Sequence, residues 1–198
     1  TMPYLAYSFN FSGRVFYWGS LGGNNLYWMT TPYEEEYGTW FQAYVPARPD
    51  SISEPYFLPG SGKSIRLNHQ KDLEEIHKYK GIAQDDAWKR VSFRNIRKHP
   101  GKYLQNCFSN VGRILFEMPH SYMIQRPGNL LRLPLNGIIV VLLLFLMIPT
   151  LINWKKIFFP IRFLLFFVLL YLGASTLACA ESRMFTLVVP LWLLFIAY

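Results

Sequence analysis

Three consecutive carboxylates, Glu34, Glu35 and Glu36, stand between Tyr33 and Tyr37, with Trp28 before them and Trp40 after. Aromatic faces stack on the C–H surfaces of pyranose rings. Carboxylates accept hydroxyl hydrogen bonds or act as general bases. The same mixture also suits a solvated acidic turn pinned to a membrane surface by a belt of rings. The residue types leave both readings open, so the surrounding elements must decide what the rings and carboxylates face.

Other residues able to do chemistry are scattered. His69, His77, His99 and His120 lack metal-ligand spacing, and no metal site is expected. The stretch "PGSGKS" at 59–64 ends like a phosphate loop, but the glycine required five residues before Gly62 is Phe57, and no apolar strand leads into it. No nucleophile elbow and no Ser/His/Asp order is visible. Asn10–Phe11–Ser12 fits a glycosylation sequon by pattern. Cys107 and Cys179 make no disulfide framework and read as small buried hydrophobes.

The positioning elements fall into three regions: 1–82, aromatic-rich and extracytoplasmic; 83–135, basic amphipathic helices at the membrane interface; and 136–198, transmembrane. The fold class is mainly α, a polytopic membrane protein fragment. In residues 1–60, turn chemistry such as "GG", "NN", "TP" and "RP" predicts irregular structure, with one short strand or hairpin arm at "SGRVFYWGS". Residues 71–80 predict a short helix. Asp85 or Asp86 is expected to cap a further helix, through Lys98. From Pro100 the pattern is cleaner. Tyr103, Leu104, Cys107, Phe108, Val111, Ile114, Leu115 and Met118 recur at three- and four-residue steps, against a polar set of Lys102, Gln105, Asn106, Ser109, Asn110, Arg113 and Glu117. This spacing predicts an amphipathic helix ending at "MP", 118–119. The cations Lys89, Arg90, Arg94, Arg97, Lys98 and Lys102 lead into it, either as a solvated face or as an interfacial face toward lipid headgroups.

Residues 136–153 and 157–180 are long enough to span a hydrocarbon core, which takes about 20 apolar residues. Residues 184–198 read as a truncated third span. The loop "WKK", 154–156, carries two lysines and is expected on the cytoplasmic side. "ESR", 181–183, is nearly neutral, which places residues 1–135 outside the cytoplasm. The chain carries a net charge of +8. Residues 136–198 contain only Lys155, Lys156, Arg162, Glu181 and Arg183, leaving a net +5 in residues 1–135. A basic, aromatic head beside a membrane points to anionic lipid or phosphate-bearing partners, and no nucleic-acid motif accompanies the charge. Composition excludes disorder, with 52% hydrophobic residues. The start at Thr1 and the stop within an apolar run suggest a piece of a larger protein.

The stretch "PYLAYSFNFSGRVFYWGSLGGNNLYWMTTPYEEEYGTWF" resembles a loop of bacterial integral-membrane glycosyltransferases of the GT-C type, the group containing protein O-mannosyltransferases and lipid A aminoarabinose transferases. "IRKHPGKYLQNCFSNVGRILF" is similar to the helix after that loop, and "ESRMFTLVVPLWLLFIAY" to the opening of a late span. The chain departs from the pattern at Thr39, where the family has an acidic residue after Glu36–Tyr37–Gly38.

The resemblance implies an enzyme of the bacterial inner membrane and cell envelope, multi-pass, of which this is a C-terminal portion. Such enzymes move a hexose or pentose, with inversion, from a polyprenyl-phosphate carrier to a lipid, glycan or protein acceptor. It puts the catalytic base upstream of Thr1, so that no residue here is assigned to catalysis. Glu36, Tyr33, Trp28 and Trp40 are expected to contact sugar. Arg183, paired with Glu181, is expected at the lipid phosphate, with Lys102 and Arg113 as weaker candidates. A divalent cation is left open as cofactor. The alternative is a non-catalytic, membrane-anchored protein binding glycan or lipid. A transporter subunit, which would need charged or broken helices, ranks last.

Overall fold

The computed structural model describes residues 2–15, 17, 22–39, 61–122 and 127–197. These residues form eight α-helices: α1 (Met2–Ser12), α2 (Gly22–Met29), α3 (Ser61–Ile76), α4 (Gly81–Lys98), α5 (Pro100–Phe116), α6 (Pro127–Ile152), α7 (Phe159–Ala178) and α8 (Ser182–Ala197). A 3-10 turn, Trp154–Lys156, links α6 to α7. Most of the expected strand at "SGRVFYWGS" lies outside the described residues, and those that are described show a bend and a turn instead.

The first 39 residues are more helical than their turn-forming residues predict. In α1 the apolar residues follow no single face, and Tyr4, Tyr7 and Phe9 are all exposed, so periodicity does not mark it. The sequence of α2, "GGNNLYWM", has poor intrinsic propensity and is held by packing on α4. Gly23 is the point of closest approach. Its N–H donates to Asp85 Oδ1 at 2.7 Å, and an added Cβ would lie 2.5 Å from the Asp85 carbonyl oxygen and 2.8 Å from Trp88 Cβ. Backbone cannot give way there, so Gly23→Ala is expected to destabilise the fold by about 1–3 kcal/mol. The check is a thermal unfolding scan beside Gly22→Ala, where an added Cβ meets nothing within 4 Å.

Asp85 is therefore not the cap of α4. The helix starts four residues earlier at Gly81, after Lys80 and without a side-chain cap. Asp85 turns inward toward Gly23 and pairs with Lys89 at 2.6 Å, while Asp86 pairs with Arg14 at 2.6 Å. The helix expected at 71–80 instead runs from Ser61 to Ile76, with a turn at 77–78. Gly62, Lys63 and Ser64 thus sit inside a helix, not in a loop.

Two apolar cores organise the chain. Tyr27, Trp28, Ile65, Leu73, Ile76, Ala87, Trp88, Val91 and Tyr122 fill the first, between α2, α3 and α4. Ile114, Leu165, Val168, Ala180, Phe185, Val188 and Trp192 form the second, between α5, α7 and α8. The cores group α4 with the residues before it, and α5 joins the two. In α6 and α7, Leu133–Ile152 and Phe159–Ala178 are long and apolar enough to cross a membrane, and Arg183–Leu193 in α8 is a shorter apolar stretch. The whole of α6, at 26 residues, is about 39 Å long, more than a hydrocarbon core of about 30 Å requires.

Helix α5 forms as its spacing predicts, with Pro100 in its first turn and Glu117 ending it in the left-handed region, φ 59°. Its packing is the reverse of a soluble amphipathic helix. The buried residues are Asn106, Asn110, Arg113 and Ile114, whereas Leu104 is 57% exposed and Phe108 76%. Cys107 is only half-buried for the same reason, and Cys179, at the end of α7, is half-buried too.

Candidate functional site

The polar side of α5 holds the loop that follows α2. Asn106 Nδ2 donates to the carbonyls of Met29 at 3.0 Å and Thr31 at 3.1 Å. Arg113 lies three to four turns into the structured polar side and spans the far end of the loop. Its guanidinium donates to the carbonyls of Tyr37 at 2.7 Å and Pro119 at 2.8 Å, and to Asn110 Oδ1. Gly38, φ 75°, turns the chain against Met29 between these two anchors. Lys102 Nζ donates to the Glu36 carbonyl at 2.8 Å and lies 5.6 Å from the Tyr37 ring centre. Side chains of α5 thus bond the carbonyls of Met29, Thr31, Glu36 and Tyr37, and Ser121 Oγ accepts from the Tyr37 N–H at 2.8 Å, so much of the backbone around the loop is satisfied by side chains.

Arg113 is 2% exposed and no described carboxylate pairs with it. Burial pulls its guanidinium down to about 10, and it stays charged at neutral pH. Burial also lowers Lys102, against the opposing pull of Glu36 and Glu34.

Beneath the loop, Glu36 is fully enclosed. Its Oε1 accepts from Tyr122 Oη at 3.0 Å and Asn68 Nδ2 at 3.3 Å, and its Oε2 accepts from Thr31 Oγ1 and from His69 Nε2, the latter at 2.8 Å. Since a carboxylate only accepts, the His69 nitrogen facing it donates. The other His69 nitrogen meets Tyr27 Oη at 2.6 Å, and Tyr27 Oη lies 3.3 Å from Asp72 Oδ2. Asp72 in turn takes Arg94 at 2.5 Å. A continuous polar chain thus runs from the interior to the α4 surface. Burial taken alone pushes the Glu36 carboxyl up. The hydrogen bond and charge of His69, with the bonds from Thr31 and Asn68, outweigh burial and hold it below its ordinary value. Burial, then the adjacent Glu36 charge, raises the Tyr122 phenol.

The residues expected to contact sugar divide between interior and surface. Trp28 is fully buried, its ring centre 4.7 Å from that of His69 and its Nε1 donating to Asn24 Oδ1 at 3.0 Å. Tyr33 is half-buried and its hydroxyl donates to the Asn68 carbonyl. Trp40 lies outside the described residues. Glu34 and Glu35 are exposed. Any hydroxyl approaching Glu36 would have to replace a bond it already makes.

The residues expected at a lipid phosphate are also split. Lys102 and Arg113 are committed to the loop. Arg183, 75% of its side chain exposed, pairs with Glu181 at the start of α8. That end of the bundle is where α5 docks: Asn110 Nδ2 donates to the Thr176 carbonyl at 2.8 Å, Tyr103 Oη to that of Leu177 at 2.9 Å, and Asn136 Nδ2 to that of Leu115 at 2.5 Å.

The chain matches no family model, no curated protein and no solved structure. The site rests on its own geometry. Among the described residues no group of three His, Cys, Asp or Glu side chains converges to hold a metal.

His69, Asn106, Asn110 and Tyr122 escaped the sequence reading. His69 stands alone among polar residues, and nothing local ties it to Glu36, 33 positions away. Asn106 and Asn110 did leave a signal. Two uncharged amides at i and i+4, opposite an apolar stripe, suit a polar face that is buried rather than solvated.

Proposed function

We propose that this chain is part of an integral-membrane glycosyltransferase of the GT-C type, moving a sugar with inversion from a polyprenyl-phosphate carrier to a lipid, glycan or protein acceptor outside the cytoplasm. One observation carries the reading beyond the sequence resemblance. The loop at 31–39 is bonded to α5, which is bonded in turn to the end of an apolar bundle with two membrane-length helices. With α6 and α7 crossing the membrane and Trp154–Lys156 on the cytoplasmic side, that end faces outward. A carrier's sugar phosphate would sit at this level.

In this reading Glu36 is a positioning residue under the loop, and Glu34 and Glu35 are left to meet hydroxyls. Arg183, paired with Glu181, meets the phosphate, where a guanidinium makes two parallel bonds. The enclosure of Glu36 and Trp28 favours the second reading, a membrane-anchored protein that binds glycan or lipid without turnover.

Carrier binding is the readout that tests the first reading, because the resemblance puts the general base upstream of Thr1. The full chain in nanodiscs, titrated with a labelled polyprenyl-phosphate hexose or pentose, is expected to bind it. Arg183→Gln is expected to weaken binding about tenfold, in keeping with one lost charge-assisted contact. No binding of the carrier, together with binding of a free oligosaccharide, would replace the first reading by the second.

A further inference from the structure

Helix α4 carries a cationic stripe that neither the loop nor the core uses. Arg90, Phe93, Arg94, Arg97 and Lys98 line one open cleft of about 490 Å3. Arg94 is neutralised by Asp72 at 2.5 Å and Glu75 at 3.2 Å. Arg90, Arg97 and Lys98 pair with no carboxylate among the described residues; Arg90 lies 5.5 Å from the Tyr79 ring centre. In the middle of these cations, Phe93 is 54% exposed.

Cations alone would suit water. A large ring standing open among them suits a boundary where charge meets phosphate and the ring meets hydrocarbon. The next element continues this chemistry. Only His99 separates α4 from α5, which leaves Leu104, Phe108 and Val111 open while its other side is bonded to the end of α7. That end belongs to a helix long and apolar enough to cross a membrane. The open faces of α4 and α5 are thus continuous in the chain with apolar helices and complementary in charge to an anionic leaflet.

We propose that the α4–α5 elbow docks on phosphate-bearing lipid headgroups, Arg90, Arg97 and Lys98 taking phosphates while Phe93, Leu104 and Phe108 enter the leaflet. This inference does not rest on sugar transfer, and holds equally for a binding protein. A cation near an anionic surface contributes about fivefold, so the three together contribute roughly a hundredfold.

The test uses the full chain in neutral-detergent micelles, titrated with short-chain phosphatidylglycerol or phosphatidylcholine. Phosphatidylglycerol is expected to bind at least tenfold more tightly, less so at high salt. The triple variant R90Q/R97Q/K98Q is expected to lose that preference while keeping its lipid-free unfolding midpoint, since all three side chains are on the surface. Should it fail to fold, Arg97→Gln alone is expected to lose about fivefold in phosphatidylglycerol binding, and Phe93→Ser to weaken both lipids. Equal binding of the two lipids, or variants that bind like wild type, overturns the proposal. Displacement of the lipid by inorganic phosphate at millimolar concentration overturns the lipid assignment and points to a soluble phosphate compound.

Discussion

Arg113→Met is expected to lower the unfolding midpoint of the detergent-solubilised chain by roughly 6–12 °C. The substitution keeps apolar bulk but removes every donor. The carbonyls of Tyr37 and Pro119 and the Asn110 side-chain oxygen lose the group that bonds them. Each acceptor left unpaired in a buried place costs about 1–3 kcal/mol, so a loss on the order of 3 kcal/mol is a conservative sum. For a chain of this length 1 kcal/mol moves the midpoint about 2–4 °C. Arg113→Lys is expected to recover less than half of the loss, since one ammonium cannot reach carbonyls on both sides as a planar fork does. The exposed Arg97→Gln is the control, with an effect within about 0.5 kcal/mol. A shift below 2 °C for Arg113→Met would mean that the loop is held by something other than α5.

Glu36→Gln is expected to change both the size of the stability and its dependence on pH. At neutral pH the new amide brings an N–H2 against Thr31 Oγ1, His69 Nε2, Asn68 Nδ2 or Tyr122 Oη, all of which now donate to carboxylate oxygens. At least one donor is left unpaired, at a cost on the order of 2 kcal/mol. The pH effect follows from the depressed carboxyl. Its folded value lies below the ordinary 4.5, so its contribution is complete above about pH 4.5 and is lost as pH falls through the folded value. Wild type is therefore expected to lose stability more steeply than Glu36→Gln as pH falls below about 4.5, so that the two curves converge in acid. Unfolding midpoints taken over that range decide it. Parallel curves for the two proteins would show that another group carries the acid transition.

Both variants act on one device, a loop held from below by Glu36 and His69 and from the side by α5. Much of what surrounds it was legible in sequence. The period of apolar residues after Pro100, with proline in the first turn and "MP" at the end, is local, and α5 spans Pro100–Phe116 as that pattern requires. The length and purity of the apolar runs place α6 and α7 without reference to any neighbour. Helices α1 and α2 were hidden: the apolar residues of α1 follow no single face, and in α2 glycine and asparagine argue against a helix locally, so α2 depends on its packing against α4, closest at Gly23, and on the burial of Tyr27 and Trp28.

By itself the sequence determined the helix at 100–116, two membrane-length apolar helices, and the crowding of rings and carboxylates before them, since each depends on residues within a few turns of one another. It also determined that α5 has two faces. Only the tertiary structure decided which face is inside. A soluble domain would bury the apolar one, but α5 sits between a polar loop and an apolar bundle, so Asn106 and Arg113 satisfy loop carbonyls, Asn110 bonds the end of α7, and Phe108 stays open. Tertiary structure alone also brought His69 and Tyr122 to Glu36. Those partners lie 33 and 86 positions away, and no local pattern encodes the choice between a carboxylate that meets solvent and one that holds a fold.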